Sequence, residues 1–458
     1  MKIFRIDDNK YKLFNFTIAK IKTRNDRGVY LHILGIPVLR IKNPMADLYL
    51  KFRNNSSLDC RSFDERISGF FQVEKKSKTP SKTPINNRIA LLASIVSDQG
   101  GHSKCIRDLA NSLSSTYNQK LYLTKKTASI SRAQMIFNDI SDSIDVYGRD
   151  ITLLNYKKEI FNIIEDLSNY SPKVIISYIH PDDVFGASIL CLIKKYINTK
   201  IIFFNHASHY PVLGMNFADL VLEGMPLTKE ITQKRRFINN CTVIGLQSTD
   251  KNNVEYITDD RRNEIKRKFK ISKNDFLTMS GGASYKFFDE NKSDYFIFIR
   301  KLLGKEKRLK HLIISNFSTY QKKIIDDIFL GYDDERNRLH LTSLSSKYNE
   351  LFQCADVFID SFPVSSALTQ IDLMRNRVPS VVKINKEHPE FSFHEYQMRD
   401  YPYMFDNLND MENGIFDLLY CDNKRKEIAE QNFQFWLENY ENSVVRDKYI
   451  SIIEDISE

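Results

Sequence analysis

Residues 356–382 read DVFIDSFPVSSALTQIDLMRNRVPSVV, in which an apolar run, a Pro, small polar residues and a helical pattern precede a second apolar run. A short apolar run bounded by turn residues is typical of a buried strand, and the periodic residues over 366–376 predict a helix. A strand, a polar turn and a helix that leads into another strand form the unit of a parallel sheet covered by helices. This stretch therefore predicts an α/β fold.

The same alternation of apolar runs and helical segments occurs on both sides of this stretch, in two successive sets. The first set of predicted strands covers 88–96, 173–179, 200–206 and 218–224, and the second covers 276–282, 311–317, 339–344, 356–362 and 379–385. Each set is typical of a doubly wound, Rossmann-like sheet. Such sheets bind ligands at the carboxyl ends of their strands, so we expect the site residues there.

We expect two Rossmann-like domains facing a cleft, with a small β-containing N-terminal extension and a C-terminal helical tail. The predicted boundaries are an extension over 1–73, a charged Ser/Thr/Pro linker over 74–87, a first Rossmann-like domain over 88–250, a second one over 251–430 and the tail over 431–458.

The composition points away from several classes of protein. The chain has 458 residues and a net charge of +9, an excess that suits anionic substrates or a membrane surface and does not demand nucleic acid. Six Cys without zinc-type spacing favour reduced thiols, and no run approaches the roughly 20 apolar residues of a spanning helix. We expect a cytoplasmic protein without nucleic-acid partners, and peripheral contact with the inner membrane is an open alternative.

The polar residues around the predicted helix at 366–376 are candidates for binding a nucleotide. A helix N-terminus attracts phosphate through its free amides and its dipole. Ser365 and Ser366 can cap this helix and offer hydroxyls, Thr369 follows one turn later, and Asp372 could accept hydrogen bonds from a ribose. A serine-capped helix with an exposed Asp would explain the same residues.

A second candidate for the nucleotide site is FLTMSGGASYKF, residues 276–287. A strand that ends in Ser280, Gly281 and Gly282 lets the backbone approach a ligand closely. Lys286 follows and could neutralise a diphosphate. A glycine turn with a solvated Lys is the alternative.

In the first set of strands, SDQGGHSKCIRDLA (97–110) follows the first strand directly. Gly100 and Gly101 permit a tight turn, and His102 would lie at the rim of the site. The spacing matches neither a dinucleotide-binding glycine motif nor a phosphate-binding P-loop. The chain resembles GT-B enzymes, in which a Gly-Gly turn at this place lets an acceptor or a donor phosphate approach the helix N-terminus, and an ordinary turn is the alternative.

The segment NHASHY places His206 and His209 at the end of another predicted strand. Histidine titrates near neutral pH and suits general-base catalysis. His180 and Asp182, with Asp183, follow the strand at 173–179 and are further candidates. A metal site is disfavoured because no acidic ligand has matching local spacing, and polar loop histidines remain an alternative.

Residues 338–382 resemble the donor-binding segment of the O-GlcNAc transferase family. The resemblance implies that Ser365, Ser366 and Thr369 meet the diphosphate and Asp372 the ribose, and we include His340 of the same segment among the donor contacts. The chain departs from that family in having two Ser where Gly-rich or Gly-His residues are common.

The two-domain pattern with a helical tail is similar to that of GT-B glycosyltransferases. This resemblance implies that the domain over 88–250 binds the acceptor and the domain over 251–430 binds the nucleotide-sugar. The Asn-His-x-x-His segment resembles one found in bacterial cell-envelope glycosyltransferases, and VYLHILGIPVLRIK (29–42) resembles a prefix of bacterial polysaccharide glycosyltransferases. In relatives of the resembling families, a basic residue placed like Lys286 assists the leaving nucleotide.

These resemblances imply a transferase that moves a sugar, with a UDP-sugar favoured, to a lipopolysaccharide, capsule or other glycan acceptor. Val364 stands where retaining relatives carry an acid, and no convincing Asp-x-Asp pair is found, so we expect an inverting reaction without metal or cofactor. A protein glycosyltransferase, a non-catalytic nucleotide-sugar-binding protein and a nucleotide-sugar epimerase remain alternatives.

Overall fold

The computed structural model describes residues 4–457 with gaps, and over residues 4–41 it describes the backbone alone. It leaves out residues 1–3, 8–9, 14–15, 25–27, 34–35, 42–43, 72–82, 98–100, 125–129, 149–150, 152–154, 247–254, 291, 344–347, 393 and 458.

The chain begins with an antiparallel sheet in which each strand pairs with the next one along the sequence. Its strands are β1 (Phe4–Asp7), β2 (Lys10–Leu13), β3 (Phe16–Arg24), β4 (Gly28–Ile33) and β5 (Ile36–Ile41). The helices α1 (Pro44–Arg53) and α2 (Arg61–Phe70) follow. The predicted β-containing extension is confirmed.

A parallel sheet of seven strands comes next. Its strands and helices in chain order are β6 (Ile85–Ala93), α3 (Gly101–Leu113), β7 (Asn118–Leu123), α4 (Ile130–Ile136), β8 (Ile144–Gly148), α5 (Tyr156–Tyr170), β9 (Pro172–Tyr178), α6 (Val184–Tyr196), β10 (Lys200–Asn205), β11 (Leu220–Glu223), α7 (Pro226–Arg236) and β12 (Cys241–Val243). The spatial order is β12-β11-β10-β9-β6-β7-β8. The strand order therefore reverses between β6 and β9.

The second parallel sheet repeats this topology with six strands, in the order β15-β14-β13-β16-β17-β18. Its elements are α8 (Asp259–Lys268), β13 (Phe276–Gly281), α9 (Asp294–Lys305), β14 (Leu309–Ile314), α10 (Thr319–Ile328), α11 (Asp333–Asn337), β15 (Leu339–Thr342), α12 (Tyr348–Phe352), β16 (Val357–Ile359), α13 (Ala367–Arg375), β17 (Ser380–Lys383), β18 (Met404–Phe405), α14 (Leu408–Tyr420), α15 (Asp422–Asn439) and α16 (Asn442–Ser457). Here the order reverses between β13 and β16.

Helices α1 and α2 belong to the core of the first parallel sheet. Met45 and Leu48 on α1 and Ile67 on α2 are completely buried in one cluster with residues of α6. The buried Asp64 carboxylate of α2 accepts a hydrogen bond from the Gly214 amide at 2.8 Å. The expectation of an appendage separate from the main fold is therefore wrong for residues 44–71, because these short amphipathic helices complete the first core.

The chain divides into two compact units, one around each parallel sheet. Residues 1–224, 229–243 and 450–458 form the first unit, and residues 225–228 and 244–449 form the second. The end of α16 is tied to the first unit by Glu454, which accepts a hydrogen bond from Tyr117 at 2.7 Å. The helical tail predicted over 431–458 is thus divided between the units.

Buried apolar strands explain why these sheets form. Ile175 and Ile176 of β9 and Ile201 and Ile202 of β10 have no exposed surface, as expected for parallel strands covered on both faces. Among the helices that the structure describes, none is long and apolar enough to cross a bilayer.

Candidate functional site

In each unit, most of the predicted site residues gather where the strand order reverses, which is where open α/β sheets bind ligands. In the second unit this point lies between the ends of β13 and β16. The loop after β13 carries the predicted glycines and Lys286, and the loop after β16 leads into α13. Both loops lie at the carboxyl end of the sheet, as the sequence predicted, because each follows a recognisable buried strand.

Lys286 links these two loops. It lies in a short helical turn, Ser284–Phe287, and its ammonium donates to the Ser365 carbonyl at 2.7 Å and to the Ser366 hydroxyl at 3.3 Å. Burial lowers the pKa of Lys286 to about 8, and the nearby Asp360 carboxylate opposes this shift. Lys286 therefore carries its charge at neutral pH and holds it beside the start of α13.

Asp360 is the residue of this site that the sequence analysis did not assign. It has no exposed surface, and its carboxylate accepts hydrogen bonds from the Ser361 amide at 2.9 Å, the Ser366 amide at 3.2 Å and the Ser365 hydroxyl at 2.5 Å. Burial raises the pKa of Asp360 to about 6, and the Ser365 hydroxyl and Lys286 oppose that rise. Asp360 thus fixes the turn that precedes α13.

The two serines do not cap α13 through their hydroxyls, which corrects the sequence analysis. Ser366 is the residue before the helix, and its side chain makes no capping bond. The Ser365 hydroxyl is engaged by Asp360, and the Ser366 hydroxyl donates to the Gly281 carbonyl at 3.4 Å. The amides of the first turn of α13 therefore lack a side-chain cap, an arrangement that leaves them suited to an anion.

Gly282 permits the close packing of this site. Its φ is +157°, and a Cβ atom at this position would lie 3.2 Å from both the Cδ of Lys286 and the Oγ of Ser366. A side chain at residue 282 would displace both groups. The glycine therefore serves to bring the loop after β13 against Lys286 and Ser366.

Asp372 lies on α13 and is almost completely buried. Its carboxylate pairs with Arg375 at 3.3 Å and accepts a hydrogen bond from the Tyr348 hydroxyl at 3.2 Å. Thr369, one turn closer to the helix start, is half-buried. The alternative of an exposed Asp372 is wrong, and its predicted contact with a ribose stays a prediction.

Two predicted donor contacts, Ser280 and His340, lie apart from this group. The Ser280 hydroxyl is completely buried and donates to the Ile359 carbonyl at 2.6 Å, so it joins β13 to β16 inside the sheet. His340 lies two positions before the end of the edge strand β15, with its ring 6.1 Å from that of Phe269. Burial lowers the pKa of His340, as do nearby cations.

In the first unit, three histidines meet where the order reverses between β6 and β9. The ring of His102, in the first turn of α3, lies 4.2 Å from that of His206 and 4.7 Å from that of His180. The His102 Nε2 atom lies 2.5 Å from the Tyr178 carbonyl oxygen. Because a carbonyl only accepts, Nε2 carries the proton.

The surroundings of His206 favour a neutral imidazole. Burial lowers the pKa of His206 well below its ordinary value, and His102 and His180 add to this effect. His209 also contributes, and its ring lies 4.3 Å from that of Tyr210. The structure therefore groups His102, His180 and His206, with His209 close enough to influence His206 electrostatically.

Ser94 and Asp183 support this histidine group. Asp183 is almost fully buried, accepts from the Gly186 amide at the start of α6 and also binds the hydroxyls of Ser94 and Thr124. The Ser94 hydroxyl in turn accepts a hydrogen bond from the His180 amide at 2.7 Å. Asp183 therefore orders the strand ends.

The remaining predicted residues of the first unit are two glycines at or before the start of α3 and Asp182 after β9. Gly101 is exposed at the start of α3, and Gly100 lies outside the described residues. Asp182 accepts a hydrogen bond from the Tyr49 hydroxyl at 3.3 Å. Over the part of the chain that the structure describes, no group of three or more His, Cys, Asp or Glu is arranged to hold a metal ion.

Comparison with known proteins finds similarity in structure alone. No family model matches the chain, and no curated protein matches it in sequence. The Anabaena protein HepE, solved with UDP-glucose, is similar over 80% of this chain and 99% of its own, with a TM-score of 0.62 and 11% identity.

Two further solved structures show the same likeness. The O-GlcNAc transferase of Thermobaculum terrenum matches over 90% of this chain and 78% of its own, with a TM-score of 0.55 and 12% identity. The lipopolysaccharide outer core galactosyltransferase WaaB matches over 80% of this chain and 99% of its own, with a TM-score of 0.56 and 13% identity. The chain thus has the two-domain α/β fold of GT-B glycosyltransferases.

Proposed function

We propose that this protein is a glycosyltransferase that transfers a sugar from a nucleotide diphosphate, most favourably UDP, to a glycan acceptor. The observation that carries the proposal is the second-unit site, in which Lys286 is fixed beside the uncapped start of α13. A cation and free helix amides are the groups that bind and stabilise a diphosphate. The UDP-glucose complex of HepE supports the choice of nucleotide.

The proposed reaction is an inverting displacement that needs no metal. A base removes the proton of an acceptor hydroxyl, the oxygen bonds to the anomeric carbon, and the bond from that carbon to the diphosphate oxygen breaks. The nucleoside diphosphate leaves with the bonding electrons, and Lys286 and the amides of α13 stabilise its charge. We assign the base to the histidine group of the first unit, His102, His180, His206 and His209.

The acceptor is proposed to be a cell-surface glycan, such as lipopolysaccharide or capsule, built on the cytoplasmic side of the membrane. WaaB, which shares the fold, is a lipopolysaccharide galactosyltransferase. A protein acceptor is the second candidate, which the likeness to an O-GlcNAc transferase favours.

A ligand panel tests the donor site directly. Thermal unfolding is measured with UDP, GDP, CMP and ADP and with their sugars, and we expect UDP and UDP-sugars to raise the melting temperature. If no nucleotide stabilises the protein at millimolar concentration, the donor site is refuted.

Turnover assays separate transfer from the other activities of this fold. Release of UDP from a UDP-sugar that depends on an added glycan supports a transferase, and dependence on a peptide instead supports the second candidate. Conversion of the donor sugar without an acceptor identifies an epimerase. Nucleotide binding without turnover identifies a non-catalytic binding protein.

A further inference from the structure

A buried arginine contacts the segment that carries two of the histidines. Arg236 is the last residue of α7 and is 2% exposed. Its Nη2 group donates to the Ser208 carbonyl at 2.7 Å and to the Tyr210 carbonyl at 2.9 Å. These two residues flank His209 in the chain, so one guanidinium holds the backbone on both sides of this histidine.

The backbone around His209 also forms a turn of its own. The Tyr210 amide donates to the Ala207 carbonyl at 3.0 Å. The second terminal nitrogen of Arg236, Nη1, donates to the Leu58 carbonyl at 3.4 Å. Arg236 therefore joins this turn to the connection between α1 and α2.

A buried carboxylate holds the start of the same segment. Glu223, at the end of β11, has no exposed surface and accepts hydrogen bonds from the Asn205 side-chain amide at 2.9 Å and the Thr232 hydroxyl at 2.5 Å. Asn205 lies opposite Glu223 at the end of β10 and directly precedes His206. Burial lowers the pKa of Arg236, and the Glu223 carboxylate opposes this shift. The acid and the arginine thus support each other beneath the two histidines.

Stability alone does not explain these buried polar groups. Removing a guanidinium and a carboxylate from water is costly, and apolar residues of similar volume are often as stable or more stable. Asn205, Glu223 and Arg236 are each at most 5% exposed. Hydrogen-bonded networks of this kind specify one arrangement of the backbone, and a segment that carries candidate catalytic side chains needs such precision.

We propose that Arg236 is a positioning residue of the transferase reaction, which sets the direction of the His209 side chain. Glu223 acts in the same way on His206 through Asn205. The inference rests on the proposed function, since it concerns the histidine group to which the base is assigned. Both residues act through the backbone and neither contacts the reacting atoms.

Acceptor-dependent release of UDP from a UDP-sugar tests the proposal in the full chain. The variant Arg236→Lys keeps the charge, but one ammonium cannot reproduce the geometry of a guanidinium that binds three carbonyls. We expect kcat to fall about 10- to 100-fold while the affinity for UDP, measured by calorimetry, stays unchanged. Arg235→Lys, at the exposed neighbouring position of α7, is the matched control and should keep the wild-type kcat. A wild-type kcat in Arg236→Lys would overturn the proposal.

A double-mutant cycle with His209→Gln separates positioning from a general structural role. A residue that acts through His209 causes little further loss once that histidine is absent. In the His209→Gln background, Arg236→Lys should therefore lower kcat by less than about twofold. Additive losses, or a wild-type kcat in His209→Gln itself, would show that Arg236 does not act through His209.

Nuclear magnetic resonance of isotope-labelled histidines gives a measurement that does not depend on turnover. The His209 signal is identified by its loss in His209→Gln. Because lysine keeps the positive charge, a changed His209 chemical shift in Arg236→Lys reports a changed position of the ring, and the exposed His388 should not respond. An unchanged His209 signal in folded Arg236→Lys would overturn the proposal.

Circular dichroism and thermal unfolding check that each variant folds. If Arg236→Lys does not fold, Asn205→Ala removes the contact with Glu223 and should lower kcat about tenfold and shift the His206 signal. A folded Asn205→Ala with the kcat and the histidine signals of the wild type would then overturn the proposal. If the wild type transfers sugar to no acceptor, the proposed function fails, and the histidine signals still decide whether these residues position the segment.

Discussion

The Lys286 ammonium lies 2.7 Å from the backbone oxygen of Ser365, a residue 79 positions later in the chain. This bond joins the loop after β13 to the turn before α13, and Asp360 holds the same turn from the other side through the Ser365 hydroxyl. Lys286, a cation, and Asp360, an anion, therefore both bind the turn before α13. In the proposed donor site the cation meets a ligand phosphate, and the anion keeps the segment in position.

Replacing Lys286 with Met should weaken UDP binding by about 10- to 100-fold, because hydrogen bonds to charged groups contribute about 1.5–3 kcal/mol. Methionine keeps the apolar stem of the side chain, so the fold should persist. Isothermal titration calorimetry measures the change, with Lys273→Met as the exposed control. Equal UDP affinity in wild type and Lys286→Met would remove Lys286 from the donor site.

The affinity for UDP should also fall as the pH rises above about 8. Burial lowers the pKa of Lys286 to about 8, so its charge is lost above this value in the free protein. Affinity should then decline by up to about tenfold per pH unit, as linkage requires. The variant Lys286→Arg, whose guanidinium stays charged, should bind UDP with little change over the same range. A decline that persists in Lys286→Arg would point to another group.

The strands that sequence analysis identified are those with continuous apolar runs. It missed β8, whose sequence IDVYG is mostly half-buried at the edge of the seven-stranded sheet and has no such run. It also assigned no helix to α8, DDRRNEIKRK, because Ile265 is the one buried residue of this charged helix. Elements that bury little surface leave a weak pattern in the sequence.

The positions of the candidate residues at the strand ends could be predicted from the sequence, because these residues directly follow recognisable strands. The role of Asp360 could not be predicted in this way. Its carboxylate accepts a hydrogen bond from the Ser365 hydroxyl and interacts with Lys286, which is far away in sequence. The expected serine caps failed for a related reason, because tertiary partners took both hydroxyls. A local motif cannot reveal such competition.

Asp360 should give stability a specific pH dependence. Burial raises its pKa from 3.8 to about 6, so between pH 4 and pH 6 the folded protein holds a proton that the unfolded chain has released. The free energy of unfolding should therefore fall as pH rises through this window, by about 3 kcal/mol for this group. Urea unfolding of wild type and of Asp360→Asn gives the difference between their free energies of unfolding at each pH. Contributions from other acids such as Asp64 cancel in this difference. A difference that does not vary with pH would contradict the prediction.

Replacing His102 with Gln should separate catalysis from donor binding. The Gln amide can still donate to the Tyr178 carbonyl, which His102 Nε2 contacts at 2.5 Å, but it cannot accept a proton. If His102 is the base or holds the base in place, kcat should fall about 100- to 10,000-fold while UDP affinity stays unchanged. The exposed His388→Gln serves as the control. Full activity in His102→Gln would assign the base elsewhere in the histidine group, with His206→Gln as the next test.

His311 should make the second unit sensitive to acid. Its completely buried ring lies 2.8 Å from the Thr278 hydroxyl and 3.0 Å from the Tyr295 hydroxyl, and burial lowers its pKa from 6.5 to about 3. The unfolded chain therefore binds a proton that the folded protein excludes, and stability should be lost as pH falls from about 6.5 towards 3, by up to about 1.4 kcal/mol per pH unit. His311→Gln should be less stable at pH 7 but lose less stability on acidification, whereas the exposed His388→Gln should follow the wild type. The free energy of unfolding is measured with urea from pH 7 to pH 5. If it changes equally in wild type and in His311→Gln, His311 is not the cause of the acid sensitivity.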